Sequence, residues 1–108
     1  MLFHEEERAT TALLEAYQHE NPDTILAMTF ENGASFRCMF VTSFEDENDE
    51  EIDSPLYDEY YTLIYEIVET LSSPEVSCDA VYNEFLNINY KRFPIRVTDD
   101  LGTVIYQK

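Results

Sequence analysis

The sequence predicts an α+β domain: an antiparallel sheet of about five strands packed with two main helices, in the order α-β-β-α-β-β-β. Three observations predict it. Two stretches space their apolar residues as helices do, an Asn-Gly dipeptide sits between two β-favouring runs, and the connections are too short for several parallel crossovers. With 108 residues the chain has the size of one domain, 1–108, and no repeat or low-complexity linker divides it. Eight Tyr and seven Phe supply the bulky core material that a disordered acidic chain lacks.

Residues 3–20 form the first predicted helix. Ala9, Leu13, Ala16 and Tyr17 recur at helical spacing, Glu5, Glu6 and Glu7 suit the positive end of the helix dipole, and Asn21-Pro22 stops it. Residues 24–30 and 34–44 then read as two strands around Glu31-Asn32-Gly33-Ala34. Asn-Gly in a two-residue type I′ loop places Glu31 opposite Ala34. One face of this hairpin would carry Ile25, Ala27, Phe36, Cys38 and Phe40. The other would carry Leu26, Met28, Phe30, Arg37, Met39 and Val41, so both faces are largely apolar.

Residues 45–53 hold seven acids in nine positions, a run that repels itself and reads as an exposed loop. Ser54-Pro55 looks like a cap followed by a first-turn proline, which predicts the second helix over 55–71. Leu56, Tyr60, Leu63, Ile64, Ile67 and Leu71 would make its core face. Tyr57, Tyr61 and Tyr65 form a second stripe at i, i+4 spacing, flanked by Asp58 and Glu69. Ser72-Ser73-Pro74 ends it. Residues 79–84 could make a helical turn, 85–90 alternate as a strand with one wet face, and 95–98 with 103–106 flank Asp99-Asp100-Leu101-Gly102 as a closing hairpin.

Charge constrains function more than any motif does. Twenty-three acids face six bases, for a formal net charge of -17. The bases are uneven: up to residue 90 there are only Arg8 and Arg37, while Lys91, Arg92, Arg96 and Lys108 crowd the end. Such a surface repels nucleic acid and anionic membrane and attracts basic partners. Direct nucleic-acid binding and membrane association are therefore not expected. The first residues carry acids where a secretory peptide needs bases, and no apolar run is long enough to span a bilayer, so the expected location is the cytoplasm. Cys38 reads as a reduced core residue on a strand and Cys78 lies in a connection; a disulfide between them stays open.

No chemistry-bearing motif emerges. A calcium loop begun at Asp46 continues with Asn48 and Glu50, then fails at Glu51 and Tyr57 where glycine and a bidentate Glu are needed. His4 and His19 belong to no paired ligand motif, Cys38 has no evident base, and the two glycines, Gly33 and Gly102, fall in predicted turns, which excludes a phosphate-cradling loop. No catalytic residue, metal ligand or cofactor is assigned, and the chain is not expected to be an enzyme.

Charge and composition point to a small acidic protein-binding module that inhibits or neutralises a basic protein partner. It would act as an immunity or antitoxin protein, or as a nucleic-acid mimic. Two other roles suit the same residues: an acidic housekeeping domain whose charge serves solubility or a halophilic host, and a small enzyme without a recognisable motif. The expected contact residues are Glu45, Asp46, Glu47, Asp49, Glu50, Glu51 and Asp53 of the acidic run with Tyr57, Asp58, Tyr61 and Tyr65 beside it. The tyrosines could equally border the core with their hydroxyls in water. The doubly apolar hairpin leaves monomer and homodimer open.

Overall fold

Tyr60, Tyr61, Thr62, Ile64, Tyr65, Ile67, Val68 and Thr70 make residues 59–72 a run of aromatic and β-branched side chains, and they fold as a strand. The second predicted helix is therefore absent. In the computed structural model, which describes residues 2–75 and 77–108, the chain is mainly β: a seven-stranded antiparallel sheet with a single α-helix. The strands are β1 (Ile25–Thr29), β2 (Ser35–Glu47), β3 (Glu59–Ser72), β4 (Val81–Tyr82), β5 (Phe85–Ile88), β6 (Arg96–Asp99) and β7 (Val104–Gln107). They lie side by side in the order β4-β5-β3-β2-β1-β6-β7. The α+β arrangement of two helices on five strands is thus corrected by the conversion of helix two into β3.

The mistaken period has a physical cause. Residues spaced by four, such as Tyr57, Tyr61 and Tyr65, share a face in a helix and also in a strand, whose side chains repeat every two. Leu56 and Leu71, expected on a helical core face, are exposed. Ser54 and Pro55 belong to a turn, in which Tyr57 N–H donates to the Ser54 carbonyl at 3.1 Å and Leu56 N–H to the Ser54 hydroxyl at 3.1 Å. The helical turn expected over 79–84 is also absent: β4 turns into β5 through Asn83, at a φ of 56°.

The first hairpin forms, but in a different register. Phe30 N–H donates to the Ala34 carbonyl at 2.8 Å and Gly33 N–H to the Phe30 carbonyl at 2.9 Å, which makes a three-residue loop. Gly33 alone in it takes a positive φ, 94°, as a turn closed by a glycine bulge requires. Leu26 therefore pairs with Cys38 and Met28 with Phe36. A one-residue slip exchanges faces. Leu26, Met28, Phe36 and Cys38 are buried together, while Ile25, Ala27, Arg37 and Met39 turn the other way. On that second face Arg37 bridges Glu69 at 3.1 Å and Asp100 at 3.2 Å.

The core lies on the first face, where Leu63, Tyr65, Leu86, Ile88 and Val97 join the hairpin residues under Leu14 of the helix. That helix, α1 (Thr11–Glu20), is shorter than predicted, because a 3-10 turn (Glu5–Ala9) precedes it and Thr10 breaks the two apart at φ -124°, ψ -97°. Cys38 is buried, donates to the Leu26 carbonyl at 3.6 Å, and burial pushes its thiol up to about 12. Cys38 and Cys78 are both free thiols. No helix of the described residues is long and apolar enough to cross a membrane.

Candidate functional site

β2 and β3 outrun their neighbours. β1 accompanies β2 only as far as Met39, and β5 accompanies β3 only from Leu63 on. Between these limits the two strands continue as a ribbon, pairing Glu45 with Tyr61, Asp46 with Tyr60 and Glu47 with Glu59. The acidic run is therefore not all loop: Glu45, Asp46 and Glu47 are strand residues, and the connection begins at Asn48. Thr42, Phe44 and Thr62 favour a pleated surface strongly enough to carry the strand into the acids.

The connection is folded around Asn48. Its backbone N–H donates to the Asp58 carbonyl at 3.1 Å, its amide donates to the Leu56 carbonyl at 2.7 Å, and its side-chain oxygen accepts Asp58 N–H at 3.1 Å. Asp49, Glu50, Glu51 and Asp53 stand exposed on this loop, with Ile52 79% and Leu56 68% exposed among them. Two large apolar side chains are thus left in water on a loop otherwise rich in carboxylates. The sequence signal for Ile52 was its isolation among acids; Leu56 was masked by its fit to a helical core face.

Glu47 and Glu59 face each other across the ribbon, a destabilising like-charge pair. The Tyr57 hydroxyl lies between them, 2.6 Å from Glu47 and 2.8 Å from Glu59. Those two hydrogen bonds hold the phenol proton and push Tyr57 well above the usual tyrosine range. Asp46 accepts from the Thr62 hydroxyl at 3.1 Å. Phe3, Glu45, Asp46, Glu47 and Glu59 line a cleft of about 330 Å³, whose carboxylates suit a lysine or arginine side chain.

Asp58 has a different task. It meets the His4 ring at 2.5 Å and the Tyr90 hydroxyl at 2.9 Å, with the Lys91 ammonium at 3.8 Å, and the His4 and Tyr90 rings stack at 4.2 Å. Burial works against its charge, but the bonds from Tyr90 and His4 and the Lys91 charge outweigh it, so the carboxyl is held below the usual range. Tyr61 packs on Phe3 at 5.1 Å. Both residues thus anchor the N-terminal segment to the ribbon. Tyr65 is wholly buried on the core face against Phe40, so its ring offers nothing to a partner. The structure brings the acids and Tyr57 together at the tip, places Asp58 and Tyr61 at its base, and removes Tyr65 to the core.

Glu7 was missed by sequence reasoning. It is fully buried, and its carboxylate accepts backbone N–H groups from Phe3, His4 and Tyr61 at 2.9, 2.9 and 2.7 Å. No arrangement of three or more His, Cys, Asp or Glu suited to a metal ion occurs among the described residues.

A model of one protein family, described as "Cognate immunity protein YxxD", matches residues 9–107. Neither the curated proteins nor the solved structures returned a match.

Proposed function

Because the chain belongs to the family of cognate immunity proteins described as YxxD, we propose that it neutralises a basic toxin by binding it through the tip of the β2–β3 ribbon. The observation that carries the role is the family match, which spans nearly the whole fold. What supports the finer statement is the tip itself: Glu45, Glu47, Asp49, Glu50, Glu51 and Asp53 around exposed Ile52 and Leu56. Acids of this kind accelerate encounter with a cationic surface, while the apolar pair holds the complex once water is expelled. Neutralisation of this kind is binding, not catalysis. The acidic surface would then have a purpose beyond solubility.

The test is a pull-down of tagged protein from its native cell lysate, washed at low and then high salt, followed by co-expression with the protein recovered. The expected result is one basic protein, retained through high salt, that kills cells alone and spares them when this chain is present. Release of that protein by added DNA would show that the chain occupies a nucleic-acid cleft. Recovery of nothing specific, or no rescue, rejects the proposal.

A further inference from the structure

The ribbon has two edges, and the chain covers one of them. Asn48 N–H donates to the Asp58 carbonyl, and the pairing from Ser43 to Glu47 runs without a break. Antiparallel pairs alternate between those that exchange backbone bonds and those whose N–H and C=O groups point outward. Phe44 and Asp46 therefore bond to β3, while Ser43, Glu45 and Glu47 point away from it. The opposite edge obeys the same phase: Tyr61 N–H points away from β2, where Glu7 caps it.

No acceptor of this kind caps the N–H of Ser43 or Glu45 among the described residues, and the Ser43 carbonyl receives only the exposed Thr42 hydroxyl at 3.4 Å. Glu47 N–H is held by the Asp46 carboxylate at 2.8 Å, but β1 ends its pairing at Met39. Past the bulge between Phe40 and Thr42, β2 runs on beside β3 without β1, with Val41 51% and Phe44 44% exposed along that edge. A cleft of about 590 Å³ opens next to this edge, between α1 and β2, lined by Ala12, Glu15, Ala16, His19, Phe40 and Ser43. Its floor is apolar and its rim is acidic.

We propose that an extended, basic segment of the toxin adds to this edge as an eighth strand, bonding to the backbone of Ser43 and Glu45 and placing alternate side chains in the adjoining cleft. The proposal rests on the immunity role and specifies its mode. Strand addition supplies backbone bonds, and alternate side chains supply selection. Charge picks the occupant. A second copy of the chain would bring Glu45, Asp46 and Glu47 against their own counterparts, whereas a strand carrying Lys or Arg meets them favourably. The same acids that protect the edge from self-association make it selective.

Two measurements on the intact chain test this. Isotope-labelled protein is titrated with a short peptide of alternating Lys and Val, and hydrogen exchange is then followed in the complex with the toxin recovered by pull-down. The expected result is that Ser43 and Glu45 amides shift with the peptide, stay still with its N-methylated or Glu-Val counterpart, and exchange roughly tenfold more slowly in the toxin complex. Ser43→Pro removes an outward donor without touching a bond to β3, and it should weaken toxin binding about tenfold or more. Should that variant misfold, exchange in the unaltered chain decides. A toxin complex that leaves both amides unprotected overturns the edge and leaves the immunity role standing. Peptide addition with no toxin recoverable does the reverse. Protection of the edge on concentrating the chain alone would assign it to a second copy and overturn the proposal.

Discussion

The carboxylate of Glu7 accepts the backbone N–H of Tyr61 at 2.7 Å, across fifty-four positions of sequence, with no part of Glu7 exposed. A polar group buried this deeply is tolerated because three backbone N–H groups bond to it in place of water. Glu7→Ala leaves Tyr61 N–H without its acceptor and frees the N-terminal segment, and it should cost about 2–4 kcal/mol. Glu7→Gln keeps one acceptor oxygen but turns an amide N–H toward the donor on the other side, so it too should lower stability. Urea denaturation reads both as lower midpoints at an unchanged slope.

Asp58 gives the fold an acid-side pH dependence. A carboxyl held below its ordinary range in the folded state stabilises the fold above the unfolded value, about 3.9, and that contribution is lost as pH falls through the folded value. Wild-type and Asp58→Asn proteins should therefore differ in urea midpoint at neutral pH, with a gap that starts to narrow only below about pH 4 and closes as pH falls through the folded value. A gap that does not narrow at all as pH falls below about 4 would show that Asp58 acts through shape and not through charge.

The two thiols should separate cleanly. Burial raises Cys38 to about 12, so its thiolate is scarce, and no solvent reaches it; Cys78 is only half-buried. A disulfide-exchanging reagent at pH 8 should titrate Cys78 alone in the native protein, and Cys38 only after denaturant is added. Cys38→Ser, which places a hydroxyl on the core face, should lower the melting temperature; Cys78→Ser should not.

Tyr65 carries a hydroxyl that the core does not use. Its oxygen is buried and no group among the described residues bonds to it, while burial pushes the phenol far above the usual tyrosine range. Tyr65→Phe should therefore leave stability unchanged or raise it by about 1 kcal/mol. Toxin affinity should not change. A loss of affinity would return Tyr65 to the contact surface.

The tip acids should trade stability for binding. Asp49, Glu50, Glu51 and Asp53 are exposed and like-charged, so replacing them with Asn and Gln should raise the melting temperature slightly at low salt and slow association with the toxin. Dissociation should change little. The same set with Ile52→Ser and Leu56→Ser should accelerate dissociation instead, since the apolar pair holds the complex after encounter.

Local chemistry was readable where one residue type has one meaning. Gly33 and Gly102 mark turns at positive φ, and Leu86 and Ile88 alternate with Asn87 as a half-buried strand does. Reading failed where a spacing satisfies two periods. Tyr57, Tyr61 and Tyr65 fit a helix and a strand equally, and the deciding signal was the density of β-branched and aromatic residues from Tyr60 to Thr70. The hairpin register turned on one residue: Asn-Gly serves a two-residue loop, but Glu31 joins the turn and Gly33 closes it. The acids of the candidate site stand out in the sequence by count alone. The clasp does not, because Glu7 beside Glu5 and Glu6 reads as a dipole-favoring first turn, and nothing local reveals which of the three is buried.

The strand order carries a consequence for how the molecule assembles. Four of its six pairings join strands that are neighbours in sequence, so hairpins can zip locally as they emerge. The pairing of β1 with β6 brings Leu26 to Asp99 and must wait until the residues of β6, some seventy positions later, have been synthesised. Until then one flank of β1 lies bare in the nascent chain, its Leu26 and Met28 without Val97. Closing that distant contact should be the slow step of folding, and weakening it with Val97→Ala should slow refolding more than it hastens unfolding only if β6 has already docked at the transition state.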